Sequence, residues 1–376
     1  MISKELRINP NKCQSIGFGA TESIRTNWHQ LQYSIGNTNI NIESTPRYLG
    51  VLLDSSLSWS AHIQHITNVA IKKLHLIRRV ASPHKGLQTK QLMLLYKTFF
   101  KPSIEYAQVV WMNQIRNKSV LCKLNKTDNQ VKRIVLGALQ TTAIVSLEAE
   151  LQTAPPHIRL HQQTSHFLLN ASLYNQELLH ELTQQFEKST FIKKLTVVIN
   201  QYHMNSARGL NPKLITRGIS SHVDDLWQQH RHREGKGLHH CKVTPSLSTP
   251  KPSHWNANLS RSLEVAVTRL RLGHVLTMEH KRIKFHQDVP IDCRLCLSGT
   301  ENITHLLCEC RSLYRERRCL HQVFFKHTLV QRKELITPEL ILGDSFPNFK
   351  IRKKTRLKIL KKLIPLINVI RKHFPL

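Results

Sequence analysis

The sequence predicts a mainly α-helical protein with a small β portion at its N-terminus, an α+β class. Three observations support this prediction. After residue 58, apolar residues recur at three- and four-residue steps over long stretches. The first 55 residues instead contain short alternating runs separated by turn residues. Four cysteines and one histidine lie between residues 293 and 310, a density typical of a small zinc-binding unit.

Residues 1–55 are predicted to form β-hairpins. The stretch LRINPNKCQSIGF places an Asn-Pro-Asn turn before an apolar run, and LQYSIGNTNINI alternates around Gly36-Asn37. A third β-like run, RYLGVLLD, occupies residues 47–54.

Residues 56–160 are predicted to be helical. The first helix has an apolar stripe at three- and four-residue steps, formed by Ile63, Ile66, Ala70, Leu74 and Ile77. Two further helical patterns cover residues 87–112 and 117–138. Between residues 56 and 140 there are 14 Lys and Arg residues against two acids, Glu105 and Asp128. This block therefore presents a surface suited to a polyanion.

Charge separates this chain from an ordinary globular protein. Its 55 Lys and Arg residues against 24 Asp and Glu residues give a net charge of +31. A surplus of this size repels itself unless a polyanion neutralises it, so RNA or DNA is the expected partner.

The remaining sequence divides into three segments. Residues 161–260 combine a helix-prone stretch with a polar linker, which centres on the Gly-, Pro-, Ser- and His-rich residues 206–258. The run HRHREGKGLHH is expected to be solvated there, and the pair Asp224-Asp225 to be a solvated acidic pair or a helix start. Residues 261–326 form the predicted zinc-binding unit. A basic C-terminal tail, 327–376, has ten Lys and Arg and no acid from Lys350 onward.

The same tail interleaves apolar residues with lysines, namely Leu357, Leu360, Leu363 and Ile364. Such a pattern suits a membrane surface, but packing onto the zinc-binding unit or binding RNA agrees better with the rest of the chain. No signal peptide or transmembrane stretch is visible, which predicts an intracellular protein in the nucleus or cytoplasm. Its cysteines are then reduced, and the crowding of five of the eight into 27 residues favours a metal over disulfides.

The zinc ligands follow from spacing only in part. Cys293 and Cys296 form a C-x2-C pair, and His305 follows after eight residues. In a regular helix, His305 and Cys308 would share a face, whereas Cys310 would reach the metal only if the helix unwinds or ends first. Geometry alone leaves Cys308 and Cys310 open. Four protein ligands leave no position for substrate, so the zinc would be structural.

Several stretches together resemble the reverse transcriptases of non-LTR (LINE-type) retrotransposons, in particular jockey- and I-like elements. LRINPNKCQSIGF is similar to the late palm motif, with Lys12 at the family lysine and Cys13 where the family has Thr. PRYLGVLLDSSLSWSAHI, LLYKTFFKPSIEYAQVVW and QVKRIVLGALQTT resemble the segment leading into, and forming, the helical thumb. TRLRLGH followed by C-x2-C-x8-H-x4-C resembles the zinc segment near the C-terminus of these polyproteins.

The resemblance implies specific residues. Its H-x4-C pair selects Cys293, Cys296, His305 and Cys310 as ligands of a structural zinc ion, and puts Cys308 at an apolar position. It implies a partial palm over 1–55 and a thumb over 56–160 that lies along the template–primer duplex. The implied phosphate contacts, which give affinity without sequence choice, are Lys72, Lys73, Arg78, Arg79, Lys85, Lys90, Lys132 and Arg133.

The family's catalytic carboxylates, which hold two Mg²⁺ ions, precede the Lys12 motif. We therefore expect Mg²⁺ only in an upstream polymerase core and no polymerase activity from this chain alone. The leading hypothesis is a C-terminal part of such a reverse transcriptase, acting on element transcript and target DNA beside that core. A host-used zinc and nucleic-acid binding protein of regulatory or structural role is the alternative. A metalloenzyme is disfavoured by the closed ligand set.

Overall fold

The structure, a computed structural model, is mainly helical, and in the residues that it describes the strands form two short hairpins near the N-terminus. The residues that it describes are 8–18, 33–40, 42–111, 114, 117–175, 177–178, 180–181, 212–233, 235–244, 252–327, 336–344 and 353–373. The rest of the predicted linker and of the predicted basic tail lies outside the described residues.

Both hairpins form where alternation predicts strands. Strands β1 (Tyr33–Ile35) and β2 (Thr38–Ile40) pair antiparallel around the Gly36-Asn37 turn. The predicted run over residues 47–54 is a hairpin in itself, of β3 (Arg47–Tyr48) and β4 (Val51–Leu52). The Tyr106 hydroxyl donates to the Leu49 carbonyl at 2.6 Å, which fixes this second hairpin to the helices that follow.

In the described part of residues 60–174, seven helices form the N-terminal bundle. The stripe predicted from Ile63 to Ile77 is buried in its core. A π-helical turn, Tyr96–Phe100, continues α2 into α3. The helices are α1 (Ser60–Val80), α2 (Thr89–Leu95), α3 (Lys101–Ile104), α4 (Gln108–Trp111), α5 (Lys118–Leu136), α6 (Ile144–Leu151) and α7 (Pro156–Tyr174).

The two acids of this bundle's basic block point inward. Asp128 is fully buried and lies 2.8 Å from Lys132 Nζ and 3.2 Å from Arg159. Burial opposes its charge, but Arg159 and Lys132 hold the pKa of Asp128 well below its usual range. Glu105 accepts from Arg159 Nε at 2.6 Å. Consequently both acids neutralise buried cations, although Glu105 also lies 3.8 Å from the partly exposed Lys101.

The linker prediction is wrong for the described part of residues 206–258. Helix α8 (Pro212–Arg233) packs on α7 through Ile219, Val223 and Trp227, and helix α9 (Leu238–Val243) follows. Those three apolar residues recur every four positions, a helical stripe that the polar composition conceals. Asp224 and Asp225 lie exposed on the outer face of α8, so they are solvated as expected. His240, predicted to be solvated, is instead fully buried.

The C-terminal helices share one apolar core with the segment that contains the four cysteines. The C-terminal helices that contribute to this core are α10 (Arg261–Leu272), α12 (Tyr314–His327), α13 (Pro338–Leu342) and α14 (Lys353–His373), and α11 (Met278–Phe285) follows α10 in the chain. Helix α14 lies against α12 and α10 with Leu363 and Ile367 fully buried, so the tail packs onto the cysteine-rich segment. Within the part of the chain that the structure describes, no helix has the length and apolar character needed to cross a membrane.

A buried ionic network joins the N-terminal bundle to the C-terminal helices. Glu150 on α6 accepts from Arg271 Nε on α10 at 2.8 Å, and its other oxygen lies 2.8 Å from His240 Nε2. Arg271 also pairs with Asp344 at 2.9 Å, and Asp344 in turn lies 3.5 Å from Arg356 of α14. Burial opposes both charges, but Arg271 holds the pKa of Glu150 well below its usual range, and Glu150 raises that of Arg271.

Helices α5 and α10 also approach each other closely, at Gly137. Gly137 ends α5 with a φ of +63°, and a Cβ there would lie 2.7 Å from a Val265 methyl group on α10. Beside it, Arg261 of α10 donates to the carbonyl of Val135 at 2.8 Å, and Arg269 donates to the carbonyl of Gly137 at 2.7 Å. Two basic side chains of α10 therefore bind the last turn of α5, where carbonyls have no helical partners.

We expect Gly137→Ala to lower the free energy of unfolding by about 2–3 kcal/mol. Roughly 1 kcal/mol comes from the left-handed backbone and the remainder from crowding against Val265. Urea denaturation measures the change. Gly235→Ala is the control, because Gly235 also has a positive φ, +57°, but nothing lies within 4 Å of its Cβ position. Equal losses in the two variants would contradict a tight α5–α10 contact.

The buried His254 predicts a pH dependence of stability. His254 Nε2 lies 3.0 Å from the Thr268 hydroxyl, and burial, aided by Arg271, lowers its pKa to about 4. Since this folded-state value is below the ordinary value of about 6.5, protonation favours the unfolded chain. The stabilisation is complete above pH 6.5 and is lost as the pH falls toward 4.

His254→Gln should therefore reduce the loss of unfolding free energy between pH 7 and pH 5 by about 2 kcal/mol. Urea denaturation at both pH values measures it. Both proteins carry the same Cys/His cluster, so their difference isolates His254. The exposed His222→Gln is the matched control. A variant with the full loss of the unmodified chain would show that His254 does not take up the proton.

Candidate metal centre and cationic face

The first half of the cysteine cluster is a tight turn that brings two thiols to one side. The Leu297 amide donates to the Cys293 carbonyl at 2.8 Å, and the Cys293 amide donates to the Gly299 carbonyl at 2.9 Å. Gly299 has a φ of +75°, and a Cβ there would lie 3.1 Å from the His305 ring. Only glycine fits both the backbone and the approach of the imidazole.

The second half is a helical turn that ends early. The Asn302 side chain accepts from the His305 amide at 2.9 Å, which starts the turn. Residues His305–Glu309 then wind as a π-helix, and the Cys310 amide closes it on the His305 carbonyl at 2.7 Å. Cys310 itself leaves the helix with ψ +121°. The π-helical turn is wider than an α-helical one and ends at Cys310, which brings this residue beside His305. Cys310 can be a ligand only if the helix unwinds or ends in this way.

Four ligand atoms meet at this point. Those of Cys293, Cys296, His305 and Cys310 all lie within 4.8 Å of one another. The Cys293 and Cys310 sulfurs are 3.9 Å apart, and Cys296 Sγ is 3.3 Å from His305 Nε2. A tetrahedral zinc site with Zn–S bonds of about 2.3 Å has sulfur–sulfur edges of roughly 3.8 Å. The cluster thus has the ligand types, number and spacing to hold such an ion.

Surrounding groups orient these ligands. Glu309 lies 3.5 Å from His305 Nδ1, which leaves Nε2 on the side of the thiols. Glu301 is fully buried and accepts from the backbone amides of Met278 and Arg294, each at 2.9 Å. It therefore ties the cysteine turn to the start of α11.

Cys308 lies outside the cluster. It packs against the apolar core of the C-terminal helices, and burial raises the pKa of its thiol to about 12. Cys308 therefore behaves as an apolar core residue, as the family resemblance implies. The helix-face pairing of His305 with Cys308, open from spacing alone, is not what the structure shows.

The predicted phosphate contacts mostly lie on the surface of the N-terminal bundle. Five are exposed: Lys72, Arg78, Arg79, Lys85 and Lys90. Lys73 is half-buried, donating to the Phe99 carbonyl at 2.7 Å with its ammonium 4.6 Å from the Phe99 ring centre. Arg133 is half-buried and donates to the carbonyl of Thr142 at 3.3 Å.

The prediction that Lys132 contacts a phosphate is wrong. Its side chain is fully buried, 2.8 Å from Asp128 and 3.1 Å from Glu148. A phosphate cannot reach it without breaking both ion pairs in the bundle core, so its role is structural. The sequence alone did not reveal this, because Lys132 and its neighbour Arg133 differ by only about 100° around α5, yet one is buried and the other is half-buried.

A cleft of about 720 Å³ opens where the bundle meets α10. Four cations line it, and none of the described side chains in its wall is acidic: Arg78, Lys126, Arg133 and Arg269. A second cleft, of about 620 Å³, adjoins the first and shares Arg133 and Ile144 with it. Its basic side chains include Lys236 and Lys284, again without an acid.

Comparison with known proteins gives a partial match. The retrovirus-related Pol polyprotein from type-1 retrotransposable element R1 4 of Nasonia vitripennis is 30% identical to this chain over 112 residues. The chain is related to non-LTR retrotransposon proteins. The match covers 30% of this chain and 26% of that polyprotein. No protein-family model and no solved structure matches the chain.

The structure adds functional candidates to this retrotransposon-related chain that sequence reasoning missed. Lys126 lies seven residues before the predicted contact Arg133 on α5, a helical spacing that could have been noticed. Arg269 lies within the motif TRLRLGH, but nothing in the sequence indicated that it lines this cleft. It reaches the cleft only because α10 packs on the end of α5, more than 130 residues earlier in sequence.

Proposed function

We propose that this chain is a C-terminal part of a non-LTR retrotransposon reverse transcriptase, binding RNA and DNA without sequence preference beside an upstream polymerase core. The observation that carries this proposal is the separation of charge. The bundle encloses its few acids, and its exposed cations are left for phosphates. The relationship to a type-1 element Pol polyprotein supports the same context.

The cysteine cluster is proposed to hold a structural zinc ion through Cys293, Cys296, His305 and Cys310. Three thiolates and one imidazole suit zinc, and four protein ligands close the coordination sphere. Cys293 and Cys310 are also part of the apolar core of the C-terminal helices. The ion would therefore stabilise the packing of that core and supply no chemistry of its own to a substrate.

Cobalt substitution tests the ligand set in the full chain. The unmodified chain should show the thiolate–cobalt absorption band, and Cys310→Ser should weaken metal affinity by more than about 100-fold, because loss of even an outer partner costs roughly 10–100-fold. Cys308→Ala is the matched control and should keep the band. Retention in Cys310→Ser with loss in Cys308→Ala would assign the fourth ligand to Cys308.

Salt-dependent binding tests the nucleic-acid proposal. Anisotropy of labelled RNA or DNA should give a linear fall of log K with log salt concentration. Replacing Lys72, Arg79, Lys85 and Lys90 with Gln should reduce the slope by about 3, because each lost phosphate contact contributes roughly 0.7–0.9.

The matched control removes the same charge elsewhere. Replacing the exposed Lys354, Lys358, Lys361 and Lys362 of α14 with Gln should reduce the slope less than the bundle variant does. Absence of binding by the unmodified chain at low salt would overturn the proposed function. Equal slopes in the two variants would show that the nucleic acid does not preferentially contact the four replaced cations of the bundle.

A further inference from the structure

We propose that the two adjoining clefts between the N-terminal bundle and α10, here called the junction track, bind the phosphates of a single-stranded nucleic acid. This rests on the proposed nucleic-acid binding and deepens it, since it names one site and one form of the ligand. The exposed face of the bundle supplies general attraction, whereas the junction track supplies a concave, defined path.

Size is the first argument for a single strand. The clefts have volumes of about 720 and 620 Å³ and share the wall residues Arg133 and Ile144. Pockets of roughly 300–1,000 Å³ enclose ligands of small-molecule size. Each cleft therefore has room for a short stretch of one strand, and neither can enclose a double helix.

The second argument is the state of two guanidinium groups in the wall. Arg133 and Arg269 are half-buried, and burial lowers the pKa of each. Among the described residues, both donate to backbone carbonyls, Arg133 to those of Asn129 and Thr142 and Arg269 to that of Gly137. The fully buried Arg159 and Arg271, by contrast, pair with carboxylates.

Removing a cation from water without an anionic partner is unfavourable. Arg269 donates to the Gly137 carbonyl through Nε, so this hydrogen bond does not use the two terminal nitrogens of the guanidinium. A phosphate in the cleft would provide the missing charge and accept a paired contact from a guanidinium. The exposed cations at the rim, Arg78 and Lys126, would add long-range attraction.

The remaining wall is suited to bases of any sequence. Apolar groups of Pro83, Ala138 and Ile144 lie beside the amides of Gln130 and Gln140. Apolar surface covers base faces, and side-chain amides both donate and accept hydrogen bonds. The junction track is formed by more than one part of the fold. Arg269 belongs to α10 and lines the track only when α10 packs on α5.

The test uses the full chain and two matched pairs of substitutions. Arg78→Gln with Lys126→Gln removes two exposed cations from the rim of the track. Lys72→Gln with Lys90→Gln removes two exposed cations of the same bundle that do not line it. All four positions are on the surface, so both double variants should keep the stability of the unmodified chain in urea denaturation. Anisotropy is measured with oligo-dT, oligo-U and a duplex of the same length.

The expected result is a loss of affinity for oligo-dT and oligo-U that is at least tenfold larger in the track variant than in the control pair, although both pairs remove the same charge. For the duplex, the two variants should lose affinity equally. A similar loss in both pairs on single strands would overturn the junction track while leaving the proposed function intact. No binding of any probe by the unmodified chain would overturn both.

Discussion

The ion pair between Glu150 and Arg271 is the interaction on which the arrangement of the molecule depends. Both side chains are fully buried, and they belong to α6 of the N-terminal bundle and α10 of the C-terminal helices. A buried charge that loses its partner costs several kcal/mol, so either group alone would be strongly destabilising there. Glu150 therefore needs the guanidinium of α10, and Arg271, although it also pairs with Asp344, needs the carboxylate of α6. This reciprocal requirement specifies one relative placement, which apolar packing between α5 and α10 alone would leave less defined.

The same use of acids inside the fold explains the surface. Asp128 and Glu105 neutralise Lys132 and Arg159 in the bundle, and Glu150 and Asp344 neutralise Arg271 and its neighbours at the junction. Few acids remain near the bundle face and the cleft beside α10. A chain with +31 overall thus concentrates its excess where it faces solvent. The acids and some of the cations are paired inside the fold, and the other cations lie outside. The buried pairs stabilise the fold, and the outer cations would attract a polyanion.

Patterns with a local cause were predictable from the sequence, and those with a distant cause were not. Helix α1, the Gly36-Asn37 hairpin and the C-x2-C turn each depend on residues close together in the chain. The π-helical turn that brings Cys310 beside His305 is also local, but spacing alone did not reveal it, and only family resemblance selected Cys310. The burial of Lys132 depends on Glu148 from another helix, and the burial of His240 depends on Glu150 ninety residues away. No periodicity in α5 or α9 reports such partners.

The cysteine cluster and the cationic cleft are physically connected through α10 and α11. Glu301, next to the cysteine turn, binds the first amide of α11, and Cys293 packs in the same apolar core as Leu270 of α10. On the other side of α10, Arg269 binds the end of α5 and lines the cleft. An ion held by the cluster would hold one side of α10 in place, and the other side of that helix presents the guanidinium. A metal ion there would therefore affect the proposed nucleic-acid binding without touching the nucleic acid, because it would stabilise the helix that presents Arg269.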